Sequence, residues 1–326
     1  METFRQRTGA LQPADFFEYD VRQVRFNPPA RRRELERYIP ASIPVDAEID
    51  WDWGNVFVRG DHKNVAVTVH YALDEAETVE DIEAYPMPDF LEKYRWAHVQ
   101  DDVAELHRRD LAVMGAMSMT LFEVAWGVRG FEKFLTDMLE NTEMARALLE
   151  RITRIRCGMA RIFAEAGVDV LRLGDDVGTE RGMMIGRATW AEWLKPRLAK
   201  VIRAAREIRP DILVFYHSDG DCREIIPELI EMGVDILNPV QPECMDPAEI
   251  KMLYGGKLAF WGTIGTQTTM PFGTPSDVRR EVITRIETVG KGGGLLLGPS
   301  HLLQDDVPWE NVLAFFEAVE RYGVYK

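Results

Sequence analysis

Along the second half of the chain, short apolar runs rich in β-branched residues alternate with longer stretches whose apolar positions recur at helical spacing. Each apolar run ends in glycine or polar residues. Strands are expected over residues 111–116, 168–173, 212–216, 234–237, 258–261 and 294–297, with amphipathic helices between them, for instance over 191–208 and 222–231. Thr274, Pro275, Ser276 and Asp277 supply a cap and a first-turn proline for one such helix, and Gly290 with Gly292, Gly293 and Gly294 closes it. Regular βα units running in one direction predict a parallel sheet, either a closed eight-stranded barrel or a doubly wound open sheet.

Residues before about 110 are less regular. An arginine-rich amphipathic stretch at 30–38 is expected as an N-terminal helix, with Arg31, Arg32 and Arg33 on its solvated face. Trp51, Asp52, Trp53, Gly54 and Asn55 lead into apolar runs at 56–58 and 65–69, which read as a hairpin turning through Gly60, Asp61, His62, Lys63 and Asn64. The expected organisation is a single α/β domain over 1–326, in which 1–110 caps a main body of 111–326. No linker rich in Pro, Gly or Ser divides it and no internal repeat is visible.

Charge removes some partners. The 54 acidic residues outnumber the 39 lysines and arginines for a net charge of −15, which opposes binding to nucleic acid or to an anionic membrane. The three cysteines, Cys157, Cys222 and Cys244, form no CxxC pair and encode neither a disulfide scaffold nor a thiolate zinc knuckle. The first residues lack a signal-peptide pattern and no stretch approaches the roughly 20 apolar residues of a membrane span, so a cytoplasmic protein is expected.

In parallel α/β folds the strand C-termini and the loops after them converge on one crevice. Here the expected strands are followed by Gly174-Asp175-Asp176, by His217-Ser218-Asp219-Gly220-Asp221, by Asn238-Pro239-Val240-Gln241, by Gly262 through Gln267, and by Gly298-Pro299-Ser300-His301. Every strand end delivers a hydrogen-bonding or ionisable group.

The ordered series Phe215 to Gly220, Asp235 to Gln241, Phe260-Trp261-Gly262 with Gln267, Gly292 to Gly294 and Asp306 to Asn311 resembles the uroporphyrinogen decarboxylase superfamily. Phe122-Glu123, Arg129-Gly130-Phe131 and Asp175-Asp176 extend the likeness upstream. The resemblance implies a (β/α)₈ TIM barrel with an N-terminal extension. The true decarboxylases carry an Arg-Gln-Ala-Gly-Arg-Tyr signature near the N-terminus, which is missing here, so the likeness points to the corrinoid-dependent methyltransferase branch, of O-demethylase or methylcobamide methyltransferase type. Methyltransferases of the superfamily place zinc on a His-x-Cys pair and a later Cys. The matching positions are His217-Ser218-Asp219 and His301, which keep one ligand and replace both thiolates. His217, Asp219 and His301 therefore form the implied set for zinc or another divalent ion, with a position left open for substrate.

Each of these residues also has a plainer role available. A histidine ending a strand can be a satisfied core residue, and Asp219 competes with Asp221, either of which could cap the following helix. Of Asp175 and Asp176, one faces the crevice while its neighbour caps the next turn or pairs with Arg172; Asp176 is the one taken as catalytic. Glu123 sits in apolar surroundings where a carboxylate is costly unless paired, either in the crevice or with Arg129. Trp51, Trp53 and Trp126 are expected to pack, and Trp261 to wall a pocket beside Gly262.

The implied activity moves a methyl group from a small methylated substrate, such as a methoxyaromatic, to a corrinoid on a separate protein, since the chain has no Asp-x-His-x-x-Gly corrinoid anchor. In it His217, Asp219 and His301 bind or protonate the leaving heteroatom, while Glu123, Asn238, Gln241, Trp261 and Gln267 orient the substrate. The alternative is a cofactor-free decarboxylase or lyase acting on a small aromatic acid or porphyrinogen-like substrate. There Asp176 would donate the proton and Arg181 and Arg187 would clamp the carboxylate.

Overall fold

The computed structural model describes residues 2–60, 66–117 and 119–324. Its centre is an all-parallel sheet of seven strands in chain order: β1 (Val21–Val24), β2 (Ala112–Ala116), β3 (Val170–Gly174), β4 (Leu213–His217), β5 (Ile236–Asn238), β6 (Ala259–Ile264) and β7 (Leu295–Pro299). Six of these are the strands expected from the apolar rhythm, displaced slightly toward the C-terminus. The first, Val21–Val24, comes from the N-terminal stretch and pairs with β2 from Val21 opposite Ala112 to Val24 opposite Gly115.

Alternate residues along each strand go to opposite faces. One face packs on the helices, where Leu171, Leu173, Val214, Tyr216, Leu237 and Phe260 join the main core with the 25-residue helix Thr142–Ala166. The other face carries a smaller cluster of Met114, Val170, Phe215 and Ile236, with Val21, Ala259 and Trp261 against it. Side chains of strands as far apart as β1 and β6 reach one cluster only if the sheet curls around it.

The eight-strand count is corrected to seven among the described residues, with β1 and β7 at the two ends of the sheet. The gap between those ends is bridged by rings. Phe17, just before β1, stacks on Phe316 of the last helix, Trp309–Tyr322, with centroids 3.6 Å apart, and Trp309 leans on Phe4 and Phe17.

The runs Val56–Arg59 and Ala66–His70 pair antiparallel as expected, joined on the other edge by Glu48–Ile49; their turn lies outside the described residues. The stretch 30–38 forms only a 3₁₀ turn, Glu36–Tyr38. Its arginines take tertiary partners, Arg33 donating to the carbonyls of Asp52 and Pro86 and Arg32 lying over the Trp51 ring. The helix expected at 191–208 is two, Arg187–Trp193 and Lys195–Arg206, the second opening with Pro196 in its first turn. Thr274 and Asp277 form a reciprocal capping box on Pro275–Thr288. Among the described residues no helix is long and apolar enough to cross a membrane.

Candidate active site

The C-terminal ends of β3 to β7 bring a polar cluster together. His217 ends β4 beside Gly174 of β3 on one side and Asn238 of β5 on the other. Gly174 has to be glycine, because a Cβ there would lie 2.6 Å from the His217 Cβ. The His217 Nδ1 is 2.5 Å from the Asn238 Oδ1, and the Asn238 Nδ2 donates to the Trp261 carbonyl at 2.7 Å. A carbonyl can only accept, so the amide of Asn238 turns its oxygen to the ring and His217 carries its proton on Nδ1. Its Nε2 then faces the crevice, 3.6 Å from the Asp176 Oδ1 and 3.8 Å from the Asp219 Oδ1.

The adjacent acids after β3 divide their work. Asp175 is buried and accepts the backbone N–H of Leu121 (2.9 Å) and of Glu123 (3.0 Å), holding the first turn of the helix Phe122–Arg129. Burial pushes its carboxyl up to about 7 despite those donors. Asp176 is the acid that turns to the crevice, where its Oδ1 accepts the N–H of Asp219 at 2.8 Å. Neither acid pairs with Arg172. Of the next contested pair, Asp221 accepts the N–H and guanidinium of Arg223, which leaves Asp219 facing His217.

Asp219 carries an exposed need. Its Oδ1 is buried with no hydrogen-bond partner, and burial followed by the neighbouring Asp176 raises its carboxyl, against the pull of His217 and His301. His301, half exposed on the loop after β7, brings its Nε2 to 3.7 Å from the Asp219 Oδ2. The ligand-capable atoms of Asp176, His217 and Asp219 all lie within 4.8 Å of one another. That triple, with its orphaned carboxylate oxygen, fits a divalent cation better than the expected triple of His217, Asp219 and His301, in which His301 touches only Asp219.

Glu123 also belongs to this cluster. Arg129 is taken by Asp137 at 2.7 Å, and Glu123 instead accepts the Asp176 N–H through Oε2 at 3.0 Å. Burial, then the charges of Asp175 and Asp176, push its carboxyl up to about 8. Gln241 is buried and accepts the Gly220 N–H at 3.2 Å, supporting the loop that carries Asp219. Trp261 stands edge-on to Phe215 at 5.3 Å. Gln267 is exposed and tied only by its backbone N–H, which donates to Glu243 at 3.1 Å.

The cysteines stand apart from this chemistry. Burial pushes the thiols of Cys222 to about 12 and of Cys244 to about 11, and raises Cys157. The rim arginines do not converge on Asp176 either, since Arg187 is bound to Glu228 at 2.6 Å and Arg181 sits on the exposed turn between Gly178–Thr179 and Gly182–Met183.

Known proteins share this framework. The chain is 24% identical over 215 residues to the methylcobamide:CoM methyltransferase MtaA of Methanosarcina barkeri, covering 65% of this chain and 59% of that protein. It is 26% identical over 193 residues to a uroporphyrinogen decarboxylase of Legionella pneumophila, covering 59% of this chain and 52% of that protein. The chain thus spans little more than half the length of these curated relatives. A solved methyltransferase from Methanosarcina mazei has the same fold, with a TM-score of 0.67 and 18% identity over 97% of this chain and 84% of that one. With the family described as uroporphyrinogen decarboxylase (URO-D) matching residues 69–322, this chain belongs to that family.

Proposed function

We propose that the chain is a methyltransferase that takes a methyl group from the heteroatom of a small methylated donor and passes it to a corrinoid held by a separate protein. The observation that carries this reading is the convergence of Asp176, His217 and Asp219 on one crevice, with His301 at its rim. Demethylating an ether or amine is hard because the leaving heteroatom is basic, so the reaction needs a strong nucleophile on one side and an acid or metal on the other. The reduced corrinoid is the methyl acceptor and supplies the nucleophile; the protein supplies the other side.

Asp176, His217 and Asp219 are the residues that would hold a divalent ion, which when bound supplies Lewis acidity at the leaving atom. Asn238 fixes the tautomer and orientation of His217, and Gln241 holds the Asp219 loop. Glu123, with its carboxyl near 8, keeps a proton in the crevice at neutral pH. The URO-D membership and the relatedness to MtaA support the reaction class. The decarboxylase reading needed an arginine clamp at Arg181 and Arg187, and Arg187 is already committed to Glu228.

Turnover and bound metal measured together on wild type, His217→Ala, His301→Ala and the double variant test the assignment. His217→Ala is expected to lose metal and about 100-fold or more in turnover, and the double variant to be scarcely worse than His217→Ala alone. Full turnover with unchanged metal in His217→Ala would remove that histidine from the reaction.

A further inference from the structure

One row below His217, the concave face of the sheet carries two cations without a carboxylate partner. Val21, Val170 and Phe215 all lie in the inner cluster, so residues two apart from them, Gln23, Arg25 and Arg172, are on the same face. Arg172 is opposite Ala116 and Phe215 in the ladder, and Val24 is opposite Gly115. Arg25 therefore falls in the row of Arg172, with only the Ala116 methyl between them.

The guanidinium carbon of Arg172 lies 5.6 Å from the Phe215 ring centroid, and its Nε is buried with no hydrogen-bond partner. Among the described residues no carboxylate comes within the 4.0 Å of an ion pair with it. Asp176, Asp219 and Glu123, beyond the strand ends, act on it only through longer-range charge, while burial and the charge of Arg25 hold the guanidinium below its ordinary range. Arg25 is exposed, and its side chain bonds only a neutral partner, the Gln23 Oε1 at 2.9 Å. An arginine turned inward without its own counter-charge is costly. It becomes favourable when a planar oxyanion docks on the fork.

We propose that Arg172, assisted by Arg25, binds a carboxylate of the methyl donor. The donor is then a small anion whose methylated heteroatom lies at His217 and whose carboxylate lies about 6–7 Å away, one row of the sheet below. Phe215 and Trp261, edge-on to each other on the same face, are the apolar side chains such a donor would meet. This rests on the reading of the crevice as a methyl-donor site. The carboxylate is an anchor in this arrangement, held by charge and away from the acids, and is retained through the reaction.

Calorimetric titration of the purified chain with 4-methoxybenzoate, 4-methoxybenzamide and inorganic phosphate, with no corrinoid present, tests the site. The acid is expected to bind about 10-fold or more tightly than the amide. Arg172→Met should erase that preference and leave the amide unchanged, and Arg25→Met should reduce it. Arg25 is exposed, so its variant carries the test should Arg172→Met fail to fold. Equal affinity for acid and amide, an acid preference that survives both variants, no binding of the acid, or tighter binding of phosphate would each overturn the proposal. The reaction is judged separately. A bound acid that never gives up its methyl group overturns the methyltransferase reading and leaves the anion site standing, whereas transfer from neutral donors with no acid preference does the reverse.

Discussion

Glu123 shows how position, more than residue type, sets the chemistry of this crevice. Its carboxyl is displaced from an ordinary 4.5 up to about 8, first by burial and then by Asp175 and Asp176. Between those values the folded chain keeps a proton that the unfolded chain has released. Stability therefore falls as pH rises through that window, by up to about 1.4 kcal/mol per pH unit for each such group, and levels off above it. Glu123→Gln should flatten the decline between about pH 5 and 8, and denaturant titrations at a series of pH values would measure this. An unchanged slope would mean that Glu123 ionises normally. The sequence marked Glu123 as a carboxylate in apolar surroundings and left it two places, the crevice or an ion pair with Arg129. That arginine is claimed by Asp137, eight residues further on, a tertiary choice that local spacing does not encode.

At the scale of elements, the acids after β3 have separate tasks that composition alone left undivided. Asp175 satisfies the N–H groups of Leu121 and Glu123, so Asp175→Ala should cost about 2 kcal/mol of stability. Asp176→Asn should keep the fold and lose about 100-fold or more in turnover. Thermal melts beside turnover would show the two effects on different variants, and the reverse pattern would exchange the roles. Six strands were legible because their apolar runs face the helices on one side and the inner cluster on the other. The strand Val21–Val24 was not, because its inner positions include Gln23 and lead to Arg25, polar side chains that face the open concave wall and break the apolar run. The helix expected at 30–38 failed for a related reason. Arg31 and Arg32 are exposed as the pattern placed them, but Arg33 donates to the carbonyls of Asp52 and Pro86 and Arg32 lies over the Trp51 ring, tertiary contacts that helical spacing does not encode.

Across the whole molecule, the seven-stranded sheet leaves its two ends to be joined by side chains. Phe17 stacked on Phe316, with Phe4 and Trp309 beside them, ties the segment before β1 to the helix after β7. Phe17→Ala and Phe316→Ala should each cost about 2 kcal/mol, less than a fully buried ring because both are half-buried. Turnover well below the melting temperature should not change, since this contact is made by segments that carry none of the crevice residues. A urea titration paired with an activity assay would check both halves. Neither aromatic contact nor strand number was readable from periodicity, which reports the faces of single elements and not how the sheet's ends meet. What the sequence did carry was the ordered set of polar strand ends, of which Asp176, Asp219 and Asn238 lie beside His217. The most direct test is to mix the chain with a reduced corrinoid protein and a panel of methoxyaromatics, methylamines and methylthiols, following the cobalt absorbance. The account predicts that at least one donor consumes the reduced corrinoid with wild type and that His217→Ala abolishes the change. No donor changing the spectrum, or an undiminished change with His217→Ala, would contradict it.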